Sequence, residues 1–187
     1  MARCLIIGCG CRGHFLARAL IDQGHAVRGT TRVEQRLASI QAAGVDPFLG
    51  DPDRVATITA AFEHVSVACV LLGRASGGRD RIEALHATRL RMLLARMLDT
   101  TVHGVVYEVA GTVDPGVLRR GAQIVAETCA ESHTSYALLD VDPGVPKVWL
   151  RAATGAVASV LGTAAPPLDS KEIKLDRNFA NRRRRNG

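Results

Sequence analysis

Long apolar runs are missing from this sequence: nowhere do about 18 uncharged apolar residues follow one another, which excludes a membrane-spanning helix. A secretory leader pattern is also missing, because the first apolar stretch, Cys4 to Ile7, is cut off at once by Gly8, Gly10, Arg12 and Gly13. The five cysteines cannot all pair, and Cys4 and Cys69 fall inside apolar runs where a free thiol packs as a small hydrophobe. A reducing, cytoplasmic setting is the expectation. Cys9-x-Cys11 has no second cysteine pair to complete a ligand set, so no metal is expected. Lysine is scarce, with only Lys147, Lys171 and Lys174.

The chain has 187 residues, of which 47% are hydrophobic, enough for one domain with a sizeable core. Its net charge of +6 is uneven: residues 1–150 hold 16 basic against 15 acidic side chains, and residues 151–187 hold 8 against 3. The expected division is a domain over 1–162 and a linker with a basic, disordered tail over 163–187. The tail ends in Arg182 to Arg185, which no aromatic residue interleaves for base stacking, so nucleic acid is not an expected partner.

Strand and helix patterns alternate six times. Cys4–Ile7 is an apolar strand; Gly8-x-Gly10-x-x-Gly13 follows, and a helix carrying Phe15, Leu16, Ala19 and Leu20 runs to Gly24. His25–Thr30 is a second strand, and Thr31-Arg32-Val33-Glu34 reads as a capping box for a helix with Val33, Leu37 and Ile40 on its apolar side. Val45–Gly50 is a third strand; Asp51-Pro52 reads as an N-cap and first helical residue ahead of Val55, Ile58 and Phe62. Val65–Leu72, almost wholly apolar, is a central strand covered on both faces. One long helix opening at Asp80-x-x-Glu83, a strand at Val102–Val109, a helix capped by Asp114-Pro115, a strand at Tyr136–Val141 and a final helix over Pro146–Leu161 complete the chain. Parallel strands need right-handed crossovers, so the alternation predicts an α/β, doubly wound, Rossmann-like sheet of six or more strands in the order 3-2-1-4-5-6.

In such a sheet a ligand sits where the connections diverge, at the carboxyl ends of the first and fourth strands. The expected dinucleotide-binding residues are Gly8, Cys9, Gly10, Cys11, Arg12 and Gly13 in the loop, Thr31, Arg32 and Arg36 after the second strand, Asp51 and Pro52 after the third, and Leu72, Gly73 and Arg74 after the fourth. The loop glycines differ in what they permit. Gly8 allows the sharp turn, Gly10 the close approach of the pyrophosphate and Gly13 the packing of helix on strand. Arg12 is expected to face the pyrophosphate. An NAD site places an acid near the ribose roughly 20 residues past the glycines. Gly29-Thr30-Thr31-Arg32 offers none, and a guanidinium there suits a 2′-phosphate. NADP is the expected cofactor, with NAD as the other possibility.

The glycine loop, Gly24-His25-x-Val27-Arg28-Gly29-x-x-Arg32, Gly50-Asp51-Pro52-Asp53 and Val67–Gly73 together resemble the extended and atypical short-chain dehydrogenase/reductase superfamily, over residues 3 to about 142. The resemblance implies NAD(P) binding and the chemistry of the epimerase/dehydratase or NADPH-dependent reductase branches. It also implies a Tyr-x-x-x-Lys pair, which is absent: Tyr107 precedes Gly111 and Tyr136 precedes Asp140. The family's serine after the fifth strand is absent as well. Glu108, Thr112 and Tyr107 are the remaining catalytic candidates, and strand alternation sends Tyr107 and Glu108 to opposite faces. About 45 residues follow the sixth strand, too few for the family's usual substrate lobe. Two functions stay open: reduction of a small acceptor of unread identity, or dinucleotide sensing without catalysis.

Overall fold

The computed structural model describes residues 1–163, and the remainder of the expected linker and tail, 164–187, lies outside the described residues. Six parallel strands, β1 (Arg3–Ile7), β2 (Ala26–Thr31), β3 (Asp46–Leu49), β4 (Val67–Val70), β5 (Gly104–Glu108) and β6 (Ser135–Leu139), form one sheet in the order β3-β2-β1-β4-β5-β6. This is the doubly wound α/β architecture. Cys4 pairs with Val27 on one side and Val67 on the other, and Gly104 pairs with Val67 and Ser135, so β1, β4 and β5 are interior strands.

Alternation along these strands divides the core into two layers. Cys4, Ile6, Cys69 and Val106 face α1 (Cys11–Asp22), α2 (Leu37–Ala42) and the final helix α6 (Pro146–Val160), where Leu16, Leu20, Ile40, Trp149 and Ala153 are buried. Leu5, Ile7, Val70 and Tyr107 face the other layer, built from Ile58 and Phe62 with α4 (Thr88–Leu98) and α5 (Pro115–Glu131). The short α3 (Arg79–Leu85) leads into α4. Full burial of a Leu or Ile contributes about 1.5–3 kcal/mol, so both layers are strongly favoured. No helix among the described residues is long and apolar enough to cross a membrane.

Four local expectations are overturned. Thr31 does not open a capping box: it ends β2, its carbonyl accepts from the Gly50 N–H at 2.9 Å and its hydroxyl accepts from the Val33 N–H at 3.1 Å. The chain then makes a 3-10 turn at Glu34–Arg36 before α2, and Val33 is exposed. Asp51 does not cap an α-helix. Its carboxylate accepts from the Asp53 N–H, the Thr57 hydroxyl takes up the Asp51 N–H, and the segment runs as 3-10 turns at Val55–Thr57 and Thr59–Phe62. The spacing of Val55, Ile58 and Phe62 still buries all three. The long helix breaks in two at His86–Ala87, because the His86 ring turns inward to meet the Tyr107 hydroxyl at 2.6 Å. Nor does Asp80-x-x-Glu83 cap it; Gly78 precedes α3 and Glu83 pairs with Arg79. By contrast Asp114 does cap α5, accepting from the Gly116 and Val117 N–H groups.

Candidate functional site

The glycine-rich loop sits between the end of β1 and the start of α1. Gly8 has φ of +83°, and a Cβ there would lie 2.7 Å from the Leu71 carbonyl oxygen, so a side chain is excluded twice over. Gly13 packs on Ile6, with its Cβ position 3.2 Å from that side chain, while nothing lies within 4 Å of the Cβ position of Gly10. The open side of the loop is therefore at Gly10. The backbone N–H groups of Cys11, Arg12 and Gly13, in the first turn of α1, have no acceptor among the described residues. Such donors with the helix dipole behind them make a cradle for an anion. Cys9 points inward beneath Gly29, and burial pushes its thiol up to about 12; Cys11 is exposed at the mouth.

A crevice of about 1010 Å³ opens along the carboxyl edge of the sheet. At one end it is lined by Thr30, Thr31, Arg32, Val33 and Arg36 beyond β2 and by Gly50, Asp51, Pro52 and Asp53 beyond β3. Arg32 and Arg36 are exposed and form no ion pair among the described residues. Asp53 is paired with Arg81. His14, on the adjoining face of α1, has its pKa lowered by burial and by the nearby Arg36 charge. The other end is lined by Leu71, Leu72, Arg74, Ala75 and Ser76 beyond β4, by Leu85, and by Pro143, Gly144, Pro146, Lys147, Trp149 and Leu150 from the β6–α6 connection and α6.

Between the two ends lies a buried ionic junction. Glu108, at the carboxyl end of β5, is wholly buried. One carboxylate oxygen accepts from Arg12 at 2.6 Å and from the Trp149 indole N–H at 3.2 Å; the other accepts from Arg12 at 3.2 Å and from the Gly73 N–H at 2.9 Å. The guanidinium also lies 5.3 Å from the Trp149 ring centroid. Burial pushes the Glu108 carboxyl above its ordinary value, and Arg12, Gly73 and Trp149 pull it back. Four N–H donors on two oxygens leave no room for a carboxyl proton without breaking a hydrogen bond, so the ionised form is the one that fits.

The junction changes what several expected site residues do. Arg12 lines the crevice, but its guanidinium forks onto Glu108 rather than facing the pyrophosphate. Glu108, with every acceptor position filled, is placed as a staple between the glycine loop, the β4 loop and α6, not as a base. Gly73 does not line the crevice; its N–H goes to Glu108 and its carbonyl accepts from the Thr112 and Val113 N–H groups at 2.9 and 3.1 Å. A Cβ on Gly111 would collide with that same carbonyl. The β4 and β5 loops are thus sealed together, and Thr112 lies outside the crevice. Tyr107 is buried on the opposite face against His86, its hydroxyl pKa raised by burial first and by the Glu108 charge second. The other expected residues, Gly8, Cys9, Gly10, Cys11, Gly13, Thr31, Arg32, Arg36, Asp51, Pro52, Leu72 and Arg74, all line the crevice. The contribution of α6 lies outside the sequence expectation. Its one signal is Pro146, a first-turn proline that starts the helix at the ligand edge of the sheet.

The fold is a doubly wound, Rossmann-like α/β sheet in the order 3-2-1-4-5-6. No family model and no curated protein matches the chain. Solved structures do share its fold. A short-chain dehydrogenase/reductase superfamily protein from Agrobacterium tumefaciens, with bound NAD, superposes with a TM-score of 0.60 at 18% identity, over 73% of this chain and 48% of that one. Triphenylmethane reductase from Citrobacter, complexed with NADP(H), gives 0.57 at 15% identity over 73% and 48%. The anaerobilin reductase ChuY from Escherichia coli O157:H7 gives 0.56 at 14% identity over 73% and 70%. The chain therefore spans about half the length of the first two.

Proposed function

We propose that the crevice binds NADP(H) and that the protein is an NADPH-dependent reductase of a small acceptor, in a reducing, cytoplasmic setting. The observation that carries this reading is the juxtaposition, along one crevice, of three N–H groups at the open glycine loop with two guanidinium groups beyond β2, all unpaired among the described residues. The residues fit the cofactor. The N–H groups of Cys11, Arg12 and Gly13 would hold the pyrophosphate, Arg32 and Arg36 a 2′-phosphate, and Asp51 the adenine amino group. When bound, a reduced nicotinamide supplies a hydride. The chain's own part is to orient the dinucleotide and to keep water off one side of the crevice with Leu71, Leu72, Trp149 and Leu150.

Calorimetry tests the cofactor assignment. Loss of charge-assisted phosphate contacts worth roughly 1.5–3 kcal/mol should weaken NADP binding by tenfold or more in Arg32→Ala and leave NAD binding unchanged. Equal affinity for both cofactors, untouched by the substitution, overturns it. A second reading, a dinucleotide sensor without catalysis, is favoured by the sealed end of β5, where Glu108 and Tyr107 are buried and already hydrogen-bonded. NADPH oxidation with a panel of flavins and quinones separates the two: saturable NADP binding with no oxidation above background favours the sensor.

A further inference from the structure

The two edges of the sheet are finished differently. At β3, Asp46 brings a charge, paired with Arg28, and Pro47 has no N–H to offer; either device blunts a strand edge. β6, Ser135-Tyr136-Ala137-Leu138-Leu139, carries neither. Among the described residues it pairs only with β5. The Ser135 N–H donates to the His103 carbonyl at 3.2 Å, and the Leu139 carbonyl accepts from the Val109 N–H at 3.1 Å. Because bonding direction alternates along a strand, the N–H and C=O groups of Tyr136 and Leu138 point away from β5, and no described residue takes them up.

The same two residues leave their side chains in water. Tyr136 stands beside Val105 and Leu138 beside Tyr107 in the register, so both lie on the α5 face of the sheet, 41% and 42% exposed. Of the eight large apolar side chains exposed among the described residues, four, Tyr136, Leu138, Val145 and Val148, lie on β6 and from there to the start of α6. The uncovered apolar surface is thus concentrated at this edge.

Charge decides which strand fits the open row. No acidic or basic residue lies within β6, and Asp140, just past its end, is exposed and forms no ion pair among the described residues. A second copy laid alongside in parallel sets Asp140 against the partner's Asp140. Turned antiparallel about a two-fold axis at Ala137, it sets Asp140 against the partner's Thr134, next to the partner's His133. Tyr136 then faces the partner's Leu138, and the two exchange N–H and C=O groups as a closely bonded pair of an antiparallel ladder. An aromatic and an aliphatic side chain meet on the α5 face, and a methyl group sits at the axis.

We propose that β6 is a self-association edge, at which two copies of this chain pair β6 with β6 antiparallel about a two-fold axis at Ala137 and join two six-stranded sheets into one. The crevices open on opposite margins of the joined sheet, so association is independent of what they bind.

Sedimentation equilibrium on the full chain between about 1 and 100 μM should carry the mass from one chain toward two, the range of a small interface. Tyr136→Lys combined with Leu138→Lys sets like charges opposite each other and should abolish the rise, while Met92→Lys, at an exposed apolar position on α4, should leave it unchanged. A cross-link reads the register without weakening the edge. In a Cys11→Ser background, Ala137→Cys should join two chains on mild air oxidation, because a non-bonded pair at the axis holds its Cα atoms about 4.5 Å apart. Leu138→Cys, two positions out of register with its own copy, should cross-link at least about tenfold more slowly. Three results overturn the proposal: a single-chain mass at the highest concentration, as follows if residues 164–187 of the same chain take the edge; a dimer that survives the double lysine replacement; or equal cross-linking at the two positions.

Discussion

Arg12→Met isolates the energetics of the buried junction. Methionine keeps an apolar stem against the Trp149 ring and removes the guanidinium, leaving a wholly buried carboxylate with two N–H donors, Gly73 and Trp149. Removing one partner of a buried ion pair costs about 3–5 kcal/mol. Because two donors remain, the loss near neutral pH should sit at the low end, about 3 kcal/mol. The sign of its pH dependence follows from the carboxyl itself. In the native protein burial raises the Glu108 pKa above its unfolded value, so between those two values the folded state binds more protons and stability falls as pH rises. Arg12 limits that rise. Without it the folded value climbs further, the window extends upward, and the penalty grows by about 1.4 kcal/mol for each pH unit within it. Urea unfolding followed by the fluorescence of Trp149, the chain's single tryptophan, should show variant and wild type close together at acid pH and diverging as pH rises, by about 3 kcal/mol near neutral pH. A loss that is the same at every pH, or one below about 1 kcal/mol, would refute the claim that Glu108 is held ionised by Arg12.

Tyr107→Phe should leave the buried His86 ring without its 2.6 Å partner and lower stability by about 1–3 kcal/mol in the same unfolding assay. NADP affinity should not change, since the pair lies on the α4–α5 side of the sheet; a cofactor-binding defect would contradict that placement. Gly111→Ala should drive a methyl group into the Gly73 carbonyl and part the two loops, losing the hydrogen bonds from Thr112 and Val113. At about 1 kcal/mol for each bond plus the clash, a drop of at least 2 kcal/mol is expected, and a wild-type melting temperature would show that the loops are not sealed.

The sheet order is legible in the sequence because it depends on patterns that neighbouring residues supply. Cys4–Ile7 and Val67–Val70 are apolar at every position since helices cover both faces, and the positive φ of Gly24 and Gly44 ends the two helices where the pattern places their ends. The local errors have two causes. Thr31 and Asp51 are taken by partners within six residues, Val33 for the first and Asp53 and Thr57 for the second, in turns that compete with the helix start the capping pattern offers. His86 meets a tertiary partner, Tyr107, 21 positions away, which no local pattern can state.

The same logic separates the parts of the site that sequence reveals from those it hides. Backbone features, the loop glycines and the free N–H groups of the first turn of α1, follow from local geometry, so their place at the ligand edge can be read directly. Side-chain direction cannot. Arg12 stands inside the glycine motif, yet its partner is Glu108, 96 positions on, and the third member of the junction, Trp149, lies a further 41 along the chain. A guanidinium offered both a wet anion and a buried, otherwise uncompensated carboxylate is drawn to the second, because the penalty for leaving Glu108 unpaired in the interior exceeds what a solvated contact returns. Burying that acid at the end of β5 therefore has two linked effects: it removes the position from which proton transfer would be expected, and it fastens α6, with Lys147 and Trp149, onto the rim of the phosphate loop.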